Sequence, residues 1–185
     1  MLAAAERPPV SWAVRPAQLG VWMFLAVVTM LFAAFSSALL IRRAATDWAP
    51  IALPGILWVS TAMLVASSAT LELARGRRRA ASWLSATLVL GLLFVFGQLL
   101  GWRQLAGAGV LVPTSPHASF FYILTGLHAV HLLGGIVYLV VLNLRVLRPG
   151  ADRADGPRPD IGLCATYWHF MGALWIYLFA LLAIV

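Results

Sequence analysis

Apolar residues are grouped along this chain into five long runs that are separated by short polar connections. The runs lie at about residues 19–41, 51–72, 82–102, 120–144 and 162–185. A helix needs about 20 apolar residues, at about 1.5 Å rise per residue, to cross the hydrocarbon core of a bilayer. Each run is therefore predicted to be a membrane-spanning helix, and the chain is predicted to be an all-α, polytopic membrane protein.

The connections between the runs hold most of the arginine, aspartate and proline, and none is long enough for a soluble domain. Residues 1–185 are therefore predicted to form one transmembrane helical domain. The composition agrees, because 62% of the residues are hydrophobic and only 10% are charged, whereas about a quarter are charged in globular proteins. The first run has full spanning length, which is untypical of a cleaved signal peptide.

The distribution of charge predicts the orientation in the membrane, since all 13 basic residues are arginine. The N-terminal tail and the even-numbered loops hold Arg7, Arg15, Arg75, Arg77, Arg78, Arg79, Arg145, Arg148, Arg153 and Arg158, whereas the opposite side holds only Arg42, Arg43 and Arg103. By the positive-inside rule, this asymmetry predicts a cytoplasmic N-terminus and a C-terminus outside. The net charge of +7 is then explained by topology and anionic lipid headgroups, and no nucleic-acid partner is expected.

Acidic residues and cysteine argue against several classes of function. Five of the six acidic residues, Glu6, Asp47, Asp152, Asp155 and Asp160, fall in the predicted loops or tail, and Glu72 lies near Arg75 at the inner end of the second run. Proton pumps and ion-coupled transporters usually need a carboxylate at mid-depth, so the sequence argues against both. The single cysteine, Cys164, has no partner spacing that would indicate a disulfide or a zinc site.

The polar residues that remain inside the runs are neutral: His128, His131, His169, Gln98, Ser67, Ser68 and Thr70. Residues three apart share a helix face, so His128 and His131 are expected to point the same way near the bilayer midplane. Two interpretations compete. These histidines could bind a metal or haem with His169, or their ring N–H groups could donate hydrogen bonds to neighbouring helices. A transmembrane haem usually takes its histidines from two facing helices, so the second interpretation is favoured.

Small residues predict where helices approach closely. Gly97 and Gly101 form a GxxxG motif on the third run, and Gly126, Gly134 and Gly135 flank the two histidines of the fourth. Such spacings allow backbones to pack at short distance in a membrane.

Two ordered motifs resemble subunit III of the haem-copper terminal oxidases, the cytochrome c oxidase family. The first, FYILTGLHAVHLLGG, contains Phe121, Tyr122, Leu124, Thr125, Gly126, His128, His131 and Gly134; the second, YWHFMGALWIYLFALL, contains Tyr167, Trp168, His169, Phe170 and Trp175. The first three runs are similar to the family's third, fourth and fifth helices. The resemblance therefore covers nearly the whole chain and corresponds to the short five-helix bacterial form.

This resemblance implies an accessory, non-redox subunit of a bacterial oxidase in aerobic electron transport, located in the plasma membrane. It implies that the chain is not catalytic by itself and that haem and copper lie in its partners, subunits I and II. Stabilisation of the catalytic subunit and binding of phospholipid are the implied roles. We expect no catalytic, cofactor-binding or metal-ligating residue here, and we assign structural, lipid or interhelical polar roles to His128, His131, His169, Thr125, Gln98, Tyr167 and Trp168.

The chain departs from the family pattern at three positions where the family usually has a buried carboxylate. Val28, Gly101 and Gly172 stand there instead. A role in supplying protons to the catalytic subunit is therefore less strongly implied for this chain than packing and lipid binding, which need no ionisable group. The alternatives that the sequence leaves open are a subunit III-like component of a quinol oxidase or nitric oxide reductase, and a small membrane haem protein that uses His128, His131 and His169.

Overall fold

A computed structural model describes residues 16–75, 80–147 and 161–185. Within these ranges the chain forms five helices and no strand: α1 (Pro16–Arg42), α2 (Ile56–Ala74), α3 (Ala80–Gly107), α4 (Pro116–Leu147) and α5 (Ile161–Ile184). All five are long and apolar enough to cross a membrane, which confirms the predicted all-α architecture. The remaining parts of the predicted single domain lie outside the described residues. So do twelve of the charged residues used above: Arg7, Arg15, Arg77, Arg78, Arg79, Arg148, Arg153, Arg158, Glu6, Asp152, Asp155 and Asp160.

Helix boundaries differ from the predicted runs where proline and glycine act on the backbone. α2 begins at Ile56 rather than at residue 51, because Pro54 disfavours a helical conformation at the residue before it. α4 begins at Pro116 rather than at residue 120, since Ser115 caps it by accepting a hydrogen bond from Ala118 N at 3.1 Å and proline suits the first helical position. α3 continues to Gly107 and is followed by Gly109, whose φ of 79° favours glycine.

Four of the helices close into a ring. α2 contacts α3 and α5, and α4 contacts the same two helices, while α1 packs on the outside of the ring against α4 and α5. The largest buried side chains inside this arrangement include Trp168, Trp175, Phe94 and Phe121. Many apolar side chains instead face outward, among them Val130, which is 65% exposed. Such a surface is suited to lipid rather than water.

α2 and α3 approach most closely where the GxxxG motif lies. A Cβ at Gly97 would lie 2.7 Å from Ser60 Cβ, and a Cβ at Gly101 would lie 2.8 Å from Leu57 Cδ2. Real carbon atoms do not approach so closely without a shift of one helix, so only glycine permits this packing. The close approach predicted from Gly97 and Gly101 is confirmed.

Ion pairs mark the two ends of the bundle. At one end, which we call the Asp47 end, both carboxylate oxygens of Asp47 accept hydrogen bonds from Arg42, at 2.6 and 2.5 Å. The Arg42 guanidinium holds the pKa of the Asp47 carboxyl below its usual value. At the opposite end, which we call the Arg75 end, Arg75 Nη1 lies 3.0 Å from Glu72 Oε1. This pair agrees with the predicted proximity of Glu72 and Arg75.

Candidate functional site

The two sequence motifs meet where α5 packs against α4. The Tyr167 hydroxyl donates a hydrogen bond of 2.6 Å to the backbone carbonyl of His131. The tyrosine ring can reach α4 because Gly135 has no side chain, since a Cβ there would lie 2.9 Å from Tyr167 Cε1. The second motif is therefore bonded to the first. Tyr167 donates to a backbone carbonyl of α4, and its ring occupies the space that Gly135 leaves open.

Tryptophan side chains connect α5 to α2. Trp168 Nε1 donates to Ser67 Oγ at 2.9 Å, and Trp175 Nε1 donates to Thr61 Oγ1 at the same distance. Both indoles are at most 1% exposed, so each ring fills the core while its N–H is satisfied by a hydroxyl on the facing helix. The serine and threonine of α2 thus serve as acceptors for the aromatic residues of α5.

The Gln98 side-chain amide connects α3 to α2. Gln98 Nε2 donates to Ser60 Oγ of α2 at 2.8 Å, next to the close approach at Gly97. Thr125, by contrast, donates its hydroxyl hydrogen to Phe121 O of its own helix at 2.6 Å. Of these two predicted polar residues, Gln98 therefore bonds between helices and Thr125 within one.

His131 does not make the expected hydrogen bond to a neighbouring helix. Its Nδ1 lies 2.7 Å from the carbonyl oxygen of Leu127, one turn earlier in α4. The facing helix α1 presents rings instead, with the Phe24 and Phe32 centroids 5.9 and 5.8 Å from the imidazole. The expectation was wrong for this residue because phenylalanine offers no acceptor. The ring N–H donates instead to the Leu127 carbonyl of its own helix.

His128 also lacks the expected hydrogen bond. The side chain is 1% exposed, and within the described residues neither ring nitrogen has a hydrogen-bond partner. The imidazole lies beside Trp175, with 5.2 Å between ring centroids, and beside Phe94 at 6.4 Å. An unpartnered buried polar group costs about 1–3 kcal/mol, so this residue requires a separate explanation.

His128 and His131 do not point the same way, contrary to the expectation from their spacing. Three residues turn an α-helix through about 300°, which leaves an offset of about 60°. In a crowded bundle this offset is enough for His128 to face α3 and α5 while His131 faces α1. Over the part of the chain that the structure describes, no three histidine, cysteine, aspartate or glutamate side chains are grouped as metal ligands would be.

His169 lies towards the Arg75 end and not in the middle of the bundle. Its Nε2 is 3.3 Å from Glu72 Oε2, and its side chain is 38% exposed. The imidazole thus joins the Glu72–Arg75 pair and connects α5 to α2. The expected position at mid-depth was wrong, since Glu72, which the imidazole contacts, lies in the last turn of α2 beside Arg75.

A cavity of about 300 Å³ lies between α3 and α4 beside His128. Its lining includes Phe94, Gln98, Trp102, Thr125, His128 and Trp175. Besides the His128 nitrogens, two other buried polar atoms in this lining, Gln98 Oε1 and Trp102 Nε1, have no hydrogen-bond partner among the described residues. These polar atoms are buried behind the cavity wall and not exposed to it, so the cavity surface is almost entirely apolar.

Of the three positions at which the sequence resemblance implies a carboxylate, Val28 and Gly101 are closely packed. Val28 is 1% exposed. A Cβ at Gly101 would lie 2.8 Å from Leu57, and one at Gly172 would lie 3.4 Å from Ser68 Oγ. At Val28 and Gly101 the space is taken by neighbouring helices, whereas a Cβ at Gly172 would make only ordinary van der Waals contact.

Sequence reasoning missed several polar residues that connect segments, among them His117 and Asn143. His117 Nδ1 accepts a hydrogen bond of 3.1 Å from Ile51 N, and its ring stacks on Trp48. Asn143 exchanges two hydrogen bonds of 3.2 Å with Ser85, which joins α4 to α3. Asn143 could have been found as a lone amide in an apolar run. His117 could have been found from its position directly after Ser115 and Pro116, at the start of a helix.

Comparison with known proteins places these features in one family. The family model described as cytochrome c oxidase subunit III matches residues 12–184. A probable quinol oxidase subunit 3 of Staphylococcus aureus is 29% identical over 174 residues, which cover 88% of this chain and 85% of that protein. A probable cytochrome c oxidase subunit 3 of Mycobacterium bovis is 32% identical over 132 residues, which cover 66% of this chain and 62% of that protein.

Proposed function

Because this chain belongs to the cytochrome c oxidase subunit III family, we propose that it stabilises the catalytic subunit of its complex and takes no part in electron transfer. The chain is subunit III of a haem-copper oxidase, and hence a multi-pass membrane protein in a multi-subunit complex. A structural role is supported by the hydrogen bonds that the motif residues make between helices. Tyr167 and Trp168 direct their polar atoms to neighbouring helices at 2.6 and 2.9 Å.

The proposed partners are subunits I and II, with haem and copper held in those chains and phospholipid bound at this one. Support comes from the outer surface, which is apolar over much of the described helices. On α1, Met30 is 74% exposed and Val27 is 64% exposed, and α1 contacts only α4 and α5 within the described ranges. Such a face is stabilised by lipid chains or by the apolar helices of another subunit.

We propose cytochrome c oxidation as the activity of the complex and keep quinol oxidation as the alternative. Relatives named for each activity are about equally identical to this chain, and the electron donor is selected by other subunits. The proposed location is the plasma membrane of a bacterium, since the relatives compared here are bacterial.

Deletion of this chain from the complex tests the structural task. We expect the initial rate of oxygen consumption to stay largely unchanged, because the redox centres lie elsewhere, while activity decays faster over successive turnovers or less complex assembles. Oxygen consumption is recorded over time on purified complexes with equal haem content. Immediate loss of electron transfer in a fully assembled complex with intact haem spectra would contradict the proposal.

A further inference from the structure

The apolar cavity between α3 and α4 continues towards the Asp47 end as a second recess, of about 520 Å³. Leu99 and Trp102 line both spaces, so the two form one continuous groove, which we call the α3–α4 groove. Leu99 and Leu133 lie along its edges and are each 51% exposed on the outer surface of the bundle. The groove therefore opens sideways, towards the hydrocarbon of the bilayer.

The length of the α3–α4 groove matches one leaflet of the membrane. Phe94 lies at the middle of α3 and Leu132 at the middle of α4, and both line the deep end of the groove. Arg103 and Tyr122 line the other end, each about 14 Å further along its helix. Half of the hydrocarbon core is about 15 Å thick. With the helices centred in the bilayer, the groove extends from the midplane to the headgroup layer on the side of the Asp47 end.

Arg103 gives the outer end of the groove a positive charge. Among the described residues that line the groove, it alone is charged, and it is exposed. Over the described ranges its guanidinium has no ion-pair partner, since Asp47 pairs with Arg42 and Glu72 lies at the Arg75 end. A guanidinium binds phosphate through paired N–H donors. The groove thus joins apolar walls to a free phosphate-binding group at headgroup depth.

Charge and length together select the occupant of the groove. A membrane-spanning helix of another subunit would cross both leaflets, whereas the groove ends at the midplane. A neutral lipid would cover the apolar walls but would leave the guanidinium without a counter-charge. A phospholipid with a net negative charge meets both requirements, because its tails occupy one leaflet and its phosphate lies at the headgroup layer.

We propose that the α3–α4 groove binds one anionic phospholipid in the leaflet at the Asp47 end. One acyl tail lies against Phe94, Ala129 and Leu133, and the phosphate pairs with Arg103. This inference rests on the proposed phospholipid role of the chain and adds to it a site, a leaflet and a headgroup charge. The distribution of arginine predicts that this leaflet is the outer one.

Photo-crosslinking of the intact complex in phosphatidylcholine nanodiscs tests this inference. The probe is phosphatidylglycerol with a diazirine near the end of one acyl chain, at the depth of the midplane. We expect labelled peptides from residues 92–103 and 124–133. A phosphatidylcholine probe with the same tail but no net charge should label these peptides about fivefold less, as expected for the attraction of an anionic lipid to one arginine near the membrane surface.

One pair of variants tests the headgroup contact. Arg103→Gln should lower labelling by the phosphatidylglycerol probe about fivefold and leave labelling by the phosphatidylcholine probe unchanged. Arg43→Gln is the matched control, because Arg43 is also exposed near the Asp47 end but lines a different recess. It removes the same charge and should label like the wild type.

A second pair of variants tests the tail contact. Ala129→Leu adds bulk to the lining at the deep end and should lower labelling of the two peptides by both probes. Val130→Leu is its control, since the neighbouring Val130 is 65% exposed and does not line the groove, and it should label like the wild type. All complexes are compared at equal haem content.

Several results would overturn the inference. These are absence of label in the two peptides, equal labelling by the two probes, unchanged phosphatidylglycerol labelling of the Arg103→Gln complex, or an equal loss in the Arg43→Gln complex, which would indicate general attraction to a positive surface. Label confined to other parts of this chain would refute the site and leave the proposed phospholipid role standing. The deletion experiment measures oxygen consumption, so its failure is distinguished from failure of the labelling.

Discussion

At the scale of single residues, hydrogen bonds between the helices come from tryptophan, tyrosine and glutamine more than from histidine. Trp168 and Trp175 donate to hydroxyl groups of α2, whereas His131 bonds its own helix and His128 bonds nothing among the described residues. An indole has one donor and a large apolar body, so one hydroxyl satisfies it. An imidazole needs two partners, which an apolar bundle rarely provides.

Substitution of Trp168 by phenylalanine should reveal the value of one such bond. A smaller phenyl ring would remain in the core, the 2.9 Å bond to Ser67 would be lost and part of the indole volume would be left empty, so we expect a loss of about 1–3 kcal/mol in unfolding free energy. Denaturant unfolding in detergent measures it. Trp22→Phe is the control because Trp22 is 60% exposed; equal effects of the two substitutions would contradict an interhelical role for Trp168.

Substitution of His131 by leucine should change stability without changing haem. The imidazole packs against Phe24 and Phe32, and loss of these ring contacts should cost about 1 kcal/mol. The visible spectrum of the purified complex should keep the haem bands of the wild type at equal intensity per complex. Loss of an absorbance band, or of a metal, would show that His131 is a ligand and would contradict the structural interpretation.

At the scale of helices, glycine decides which pairs pack closely. The absence of side chains at Gly97 and Gly101 lets α2 pack directly against α3. In the same way, Gly91 leaves room for the Trp168 indole and Gly135 for the Tyr167 ring. Without a hydrophobic driving force between helices in lipid, such close contact and the hydrogen bonds beside it supply the attraction. The GxxxG spacing therefore predicts an interface, although the sequence does not state which helix fills it.

Alanine at Gly97 should weaken the α2–α3 pair. The new Cβ would meet Ser60 Cβ at 2.7 Å, an atom fixed to the backbone, so the helices must separate, at a cost of about 1–3 kcal/mol. The change should also lengthen the bond between Gln98 and Ser60. Gly20→Ala is the matched control because nothing lies within 4 Å of that position. Unfolding curves in which the two variants coincide would contradict the proposed interface.

At the scale of the whole molecule, five spanning helices predict that the start of α1 and the end of α5 lie on opposite sides of the membrane. The Asp47 end and the Arg75 end are chemically distinct, with exposed ion pairs at each. The excess of arginine in the even-numbered loops and the N-terminal tail predicts that the Arg75 end is cytoplasmic.

Labelling of single cysteines tests this orientation. In a Cys164→Ser background, a membrane-impermeant maleimide applied to spheroplasts should label Thr114→Cys, at the Asp47 end, and should label Arg75→Cys only after permeabilisation. Both positions are exposed, so accessibility differs only through the membrane. Labelling of Arg75→Cys in intact spheroplasts would reverse the predicted topology.

Much of the fold could be predicted because the patterns that specify it are local. Runs of about 20 apolar residues specify spanning helices, and Ser115 with Pro116 indicates where α4 begins. The separate environments of His128 and His131 could not be predicted, since they depend on which helices flank α4. His169 was misplaced for a similar reason, because its partner Glu72 comes from a helix far away in sequence.

The sequence by itself determined the number and type of the helices, the GxxxG interface and the family, since each of these depends on the spacing of residues along the chain. Only the tertiary structure decided what each polar side chain contacts. It placed Trp168 on Ser67, turned His131 towards α1, and left His128 beside an apolar cavity. The physical reason is that a hydrogen bond needs its partner within about 3 Å, and helix packing determines which side chains of different helices come that close.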